Sequence, residues 1–185
     1  MWAAVLEIST GKGIAANAGH EHPALRRAGG DYELVVYRHS PAVATMEGMR
    51  FREHEFQMNP GDTLFVYTDG VAEATNAQNV LFGPERTLAA LNRDPGAEPK
   101  VILSNVMNGI DAFVAGAEQF DDITMLCFKY NGTVREGHEK REFDSETAKD
   151  IDKAFRAGTT TRSACPPPPI PFTRRVNGNT FFSLK

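Results

Sequence analysis

The sequence predicts an α+β fold, on three observations. Short strand-like runs broken by Gly, Pro, Asn and Asp fill the chain up to Thr68. One long amphipathic helix stands out from Glu98 to Ala115, where Ile102, Val106, Ile110, Phe113 and Val114 share a face at helical spacing. Two apolar strands adjoin acidic pairs: Thr63–Thr68 runs into Asp69-Gly70, and Asp121-Asp122 opens Ile123–Phe128.

Residues 1–8 read as a strand that closes through the turn Thr10-Gly11-Lys12-Gly13 onto a second strand, Ile14 to Ala18. Ala24–Arg27 and Tyr32–Tyr37 make another pair around Ala28-Gly29-Gly30-Asp31. Phe51–Phe56 alternates apolar and charged residues only in part, which predicts an edge strand. Asn59-Pro60-Gly61-Asp62 is a turn. Thr63–Thr68 is almost wholly apolar and should be a central strand covered on both faces. Val71–Asn76 predicts a short helix, and Gly83-Pro84-Glu85-Arg86 opens another that runs to Asn92 with proline in its first turn. Ile123–Tyr130 is the last clear strand.

The character then changes. Residues 131–152 are strongly charged, with one candidate helix from Glu146 to Ala157. Beyond Asp152 there is no acidic residue, and Cys165-Pro166-Pro167-Pro168-Pro169-Ile170-Pro171 fits neither helix nor central strand. The expected organisation is a domain over 1–130, a linker over 131–154, and an irregular, disordered or frameshifted tail over 155–185.

With 185 residues the chain can bury a core of its own. The net charge of −4 and pI near 5.7 leave no basic footprint for nucleic acid. No apolar stretch is long enough to span a bilayer, and Met1-Trp2-Ala3-Ala4-Val5-Leu6-Glu7 lacks the basic start of a signal peptide. Two cysteines, Cys127 in an apolar strand and Cys165 before the prolines, make no disulfide framework or zinc pattern, so a cytoplasmic setting is expected.

The acidic strand ends carry the chemistry. Strands that deliver carboxylates at their ends can aim them at one point, and such oxygen donors suit Mg²⁺ or Mn²⁺. Asp69 and Asp121 are the candidate ligands. Asp-Gly is also a common turn, and an acid at a strand start is usually just solvated; the flanking residues tip both toward the ligand reading. His20 reads as a turn histidine beside the site, with general acid or ligand as the rival; His22, His39 and His54 read as surface or structural. Glu73 reads equally well as an exposed first-turn acid or as part of a mobile helix beside the site.

Three segments resemble the bacterial protein phosphatase 2C family, in the branch of stage II sporulation protein E and the stress-response phosphatases. They are Ala16-Asn17-Ala18-Gly19-His20-Glu21-His22-Pro23, the run Pro60–Ala74 around Thr68-Asp69-Gly70, and Phe120-Asp121-Asp122-Ile123-Thr124. The resemblance covers residues 1–130. It implies a partial four-layer αββα sandwich lacking its N-terminal strands and helices, because Met1-Trp2 matches the middle of the family domain. It implies a two-metal site for Mn²⁺ or Mg²⁺ in the complete domain, with Asp69 and Asp121 as catalytic metal ligands. Gly70, Asp122, Thr124 and His20 would surround them. The implied activity is hydrolysis of phosphoserine or phosphothreonine by metal-activated water, on a phosphorylated anti-sigma antagonist-type partner; no nucleic acid or membrane partner is implied, and a homodimer is admitted. The family's earlier metal motifs, including the bridging carboxylate, lie upstream of the segment matching Met1. The alternative is therefore a catalytically inactive regulatory or binding module. Residues 140–154 also resemble the opening strand and helix of an anti-sigma-factor kinase ATP-binding domain.

Overall fold

The computed structural model describes residues 1–38, 40–45, 47–117 and 121–133, together with the backbone of 172–176 and 179–184. The elements in order are β1 (Trp2–Glu7), β2 (Lys12–Asn17), β3 (Ala24–Arg26), β4 (Tyr32–Leu34), β5 (Glu53–Gln57), β6 (Thr63–Tyr67), α1 (Asp69–Ala72), α2 (Gly83–Leu91), α3 (Pro99–Val114), β7 (Met125–Lys129), β8 (Phe172–Val176) and β9 (Asn179–Leu184). Sheet I has the order β5-β2-β1-β9-β8 and sheet II the order β4-β3-β6-β7, and every pairing is antiparallel.

Side-chain alternation builds the layers. Along β1, Trp2, Ala4 and Leu6 are buried while Ala3 and Val5 are half-buried and Glu7 is exposed, the period of a sheet with one covered face. Their register partners on β2 include Ala15 and Gly13. A Cβ at Gly13 would run into the Phe56 ring on β5, so glycine is what lets these strands pack. Trp2, Ala4, Leu6 and Ala15 meet Leu64 and Val66 of β6, with Met58 and Tyr130, in a core between the two sheets.

The other face of β6 points away from sheet I. Phe65 and Tyr67 pack with Val71, Leu91, Ile102, Val106 and Ile110 in a second core, between sheet II and the helices. Every residue of β6 is therefore buried, as its unbroken apolar run requires. α3 starts at Pro99 and ends where Ala115 turns left-handed at φ 49°.

Asp62 anchors the turn that leads into β6. It is 2% exposed at its side chain, pairs with Arg27 at 2.7 Å, and accepts the backbone N–H groups of Ala28 and Asn59 at 2.9 and 2.8 Å. Burial works against its charge, and the donors from Asn59, Arg27 and Ala28 overcome that and hold its carboxyl below the usual range.

Among the described residues the fold is mixed α+β with two antiparallel sheets, as expected, and the helices back sheet II alone; on the outer face of sheet I, Ile14 is 47% exposed. One expectation needs correction. The tail is not irregular throughout, because β9 pairs with β1 from Trp2↔Leu184 to Glu7↔Asn179 and β8 pairs with β9. Without β9, β1 would be an edge strand with unpaired backbone groups, and β9 satisfies them. The candidate helix Glu146–Ala157, the kinase-like segment 140–154 and the proline run lie outside the described residues.

Candidate functional site

Asp69 lies two residues beyond the end of β6 and opens α1; its side chain is exposed, while Thr68 and Gly70 beside it are buried. Asp121 and Asp122 are exposed and lead into β7, the strand that pairs with β6. The register Tyr67↔Met125 puts the end of one strand beside the start of the other.

Thr68 fastens the two ends together. Its N–H donates to the Thr124 carbonyl at 3.0 Å. Its hydroxyl donates to the Asp122 carbonyl at 3.1 Å and accepts the Thr124 N–H at 3.0 Å. Gly70 lies so close that a Cβ there would run into the Asp122 carbonyl. The Asp121 carboxylate accepts the Asp122 N–H at 2.7 Å, and that of Asp69 accepts the Gly70 N–H at 3.2 Å. Asp122 and Thr124 thus join the site through their backbone.

His20 reaches the same end of the molecule from the loop between β2 and β3. Asn17, wholly buried, shapes that loop: its Nδ2 donates to the His20 carbonyl at 2.9 Å and its Oδ1 accepts the His20 N–H at 2.8 Å. Gly19 makes the turn at φ +67°, where a Cβ would also press on Ala42. Burial pushes the His20 imidazole below its ordinary pKa. The Glu21 carbonyl raises it, the Met1 ammonium lowers it, and the Asp69 carboxylate raises it, in falling order. Asp69 and His20 therefore lie within electrostatic reach of each other.

Asn17, Thr68 and Tyr67 are the site-building residues that the sequence reading passes over as candidates. Asn17 has a visible signal, an Asn two residues before a Gly at the end of a strand. Thr68 has only its place before Asp69. Tyr67 is 1% exposed, its hydroxyl has no hydrogen-bond partner, and burial followed by Glu21 pushes it up to about 12.

Exposed carboxylates at adjoining strand ends suit a hard divalent cation in donor type. They fall short in number: among the described residues no group of three or more His, Cys, Asp or Glu side chains is placed to hold a metal ion.

The sequence profile of the stage II sporulation protein E family matches residues 1–131. The chain belongs to that family. It is 32% identical over 127 residues to Protein IcfG of Synechocystis sp. (strain ATCC 27184 / PCC 6803 / Kazusa), covering 69% of this chain and 20% of that protein. The SiaA-PP2C domain of Pseudomonas aeruginosa is similar in structure, with a TM-score of 0.55 at 20% identity over 65% of this chain and 46% of that one. The RsbU and RsbW domains of Rv1364c from Mycobacterium tuberculosis give 0.56 at 18% identity, over 82% and 42%. The Mn-presoaked phosphatase domain of SpoIIE from Bacillus subtilis gives 0.53 at 15%, over 72% and 57%. The chain spans a fifth of the curated relative and about half of these solved chains. The chain is similar to these domains over part of their length, with a mixed α+β fold of two antiparallel sheets. No helix among the described residues is long and apolar enough to cross a membrane.

Proposed function

We propose that this chain is the C-terminal portion of a metal-dependent serine/threonine protein phosphatase domain. Its substrate would be a phosphorylated regulator of the anti-sigma-antagonist type, and the observation that carries the reading is the Thr68 fastening. A family phosphatase needs the Asp-Gly end of β6 and the Asp-Asp start of β7 at one point, and Thr68 holds both there through three backbone partners. Membership of the family supports the reaction class, and the RsbU–RsbW relative supports the partner class by analogy alone.

In this reading Asp69 and Asp121 hold Mn²⁺ or Mg²⁺, with further ligands supplied from outside the described residues. When bound, the metals lower the pKa of water and offset charge on the phosphoryl oxygens. The chain's own residues do the rest. Asp69 and Asp121 present charge to solvent at a fixed spacing, Gly70 lets the two turns close, and His20 with Asn17 walls one side. The test is phosphate release from a phosphoserine-bearing regulator by the longest natural form of the protein, with Mn²⁺ present. Asp69→Asn and Asp121→Asn should each abolish it, and unchanged rates in either would overturn the assignment.

The lack of a third ligand among the described residues favours a second reading, a regulatory or binding module without turnover. A Mn²⁺ titration separates the two. Saturable binding that Asp69→Asn removes supports the enzyme; a featureless isotherm with intact binding of the phosphoregulator supports the module.

A further inference from the structure

One buried polar atom at the site lacks a partner that its chemistry requires. His20 Nε2 is buried and makes no hydrogen bond. The other ring nitrogen, Nδ1, lies 3.2 Å from the Glu21 carbonyl oxygen. A carbonyl can only accept, so Nδ1 carries the proton. In the neutral ring this leaves Nε2 as a bare acceptor. Asn17 fixes the His20 backbone with its Oδ1 and Nδ2. A buried acceptor left empty is costly, which argues that something with a donor fills it. Of the two neighbouring charges, the Asp69 carboxylate can only accept, and the Met1 ammonium donates to the Ala18 carbonyl at 3.0 Å.

We propose that His20 Nε2 is a hydrogen-bond acceptor for an O–H group entering the site beside Asp69. Two sources share that chemistry: a water molecule, and the protonated oxygen of a phosphate. Either way, His20 takes part in the site as a ligand-facing group, and the Glu21 carbonyl serves to hold one tautomer. The proposal rests on the phosphatase reading for its functional meaning, though not for its geometry.

The test reads the ring nitrogens of His20 by ¹⁵N NMR in the whole chain, with inorganic phosphate as the probe. The expected spectrum has a protonated Nδ1 and an unprotonated Nε2 whose resonance is displaced by hydrogen bonding. A displacement present without phosphate and reduced in Asp69→Asn identifies water; one that appears only on adding phosphate identifies phosphate. An Nε2–H tautomer, or a bare Nε2 indifferent to both changes, overturns the proposal. These signals do not depend on turnover, so they stand or fall apart from the proposed activity. Where the longest natural form turns over, His20→Phe should lower kcat about tenfold to a hundredfold with KM held within about twofold, the scale of one lost hydrogen bond. His20→Gln, which can present a carbonyl oxygen, should recover much of that loss, whereas equal loss in both variants with unchanged folding counts against the acceptor role.

Discussion

Sheet II and sheet I are built from similar strands and differ in what stands behind them. Sheet II has the inter-sheet core on one side and α1, α2 and α3 on the other, and its β6 is buried from end to end. Among the described residues, sheet I has the inter-sheet core on one side only. Its outer face carries a cleft of about 700 Å³ lined by residues that include Val5, Lys12, Ile14 and Glu55. The difference separates two tasks. The doubly covered sheet fixes the acidic ends through the strands themselves, and the singly covered sheet contributes the His20 loop. Positional accuracy at Asp69 and Asp121 thus rests on the better-packed half.

The largest effect should come from cutting the doubly covered strand. Phe65→Ala removes a side chain with no exposure between β6 and the helices. It should cost about 3–5 kcal/mol, a large part of the stability of a domain of this size. Urea denaturation followed by circular dichroism checks it; a cost near 1 kcal/mol would mean the helix-side core is looser than its burial indicates.

That contrast was partly legible in the sequence. The unbroken apolar run Thr63–Thr68 announces a strand covered twice, and the stripe Ile102, Val106, Ile110 announces the helix that covers it; both sit in the core as their spacing requires. The mixed periodicity of Glu53, His54, Glu55 and Phe56 announces an edge, and among the described residues β5 ends its sheet beside β2. The Thr68 fastening could not be read at all. Its partners lie more than fifty positions along the chain, and one threonine before an Asp-Gly turn carries no mark of what it will meet.

Next in size is the anchor between the two sheets' turns. Asp62→Ala leaves the Ala28 and Asn59 N–H groups and the Arg27 guanidinium without their shared acceptor, and should cost about 2–4 kcal/mol. The wild-type pH dependence gives a second measure. A carboxyl held lower in the fold than in the unfolded chain contributes stability above its unfolded pKa, and that contribution is lost as pH falls through the folded value. Wild type should therefore lose stability below about pH 4, and Asp62→Ala should lose less over the same interval. Parallel curves would remove Asp62 from the account.

A smaller change should separate the site from the stability of its sheet. Thr68→Val keeps the volume of a side chain that is 7% exposed and deletes its hydroxyl. The Asp122 carbonyl and the Thr124 N–H lose a partner, at a cost of about 1–3 kcal/mol. The backbone bond from Thr68 to Thr124 survives, so the strands should stay paired while the Asp121 turn loosens. Hydrogen exchange should then quicken at Asp122 and Thr124 and stay unchanged along β6. Equal quickening along β6 would show that the site and the sheet cannot be separated.

The smallest effect belongs to the open face. Ile14 is 47% exposed on sheet I beside Val5, with Lys12, Glu55 and Gln57 around the same cleft. Ile14→Thr keeps a β-branched side chain that suits a strand and removes apolar surface that water already reaches. The midpoint of urea denaturation should move by no more than about 0.5 kcal/mol of stability, as for an ordinary surface substitution. Aggregation should fall, because a smaller apolar patch is left to solvent. A cost approaching 2 kcal/mol is what burial of the whole side chain would be worth. That result would show the outer face of sheet I covered in solution, and the contrast between the two sheets would reduce to which partner covers each.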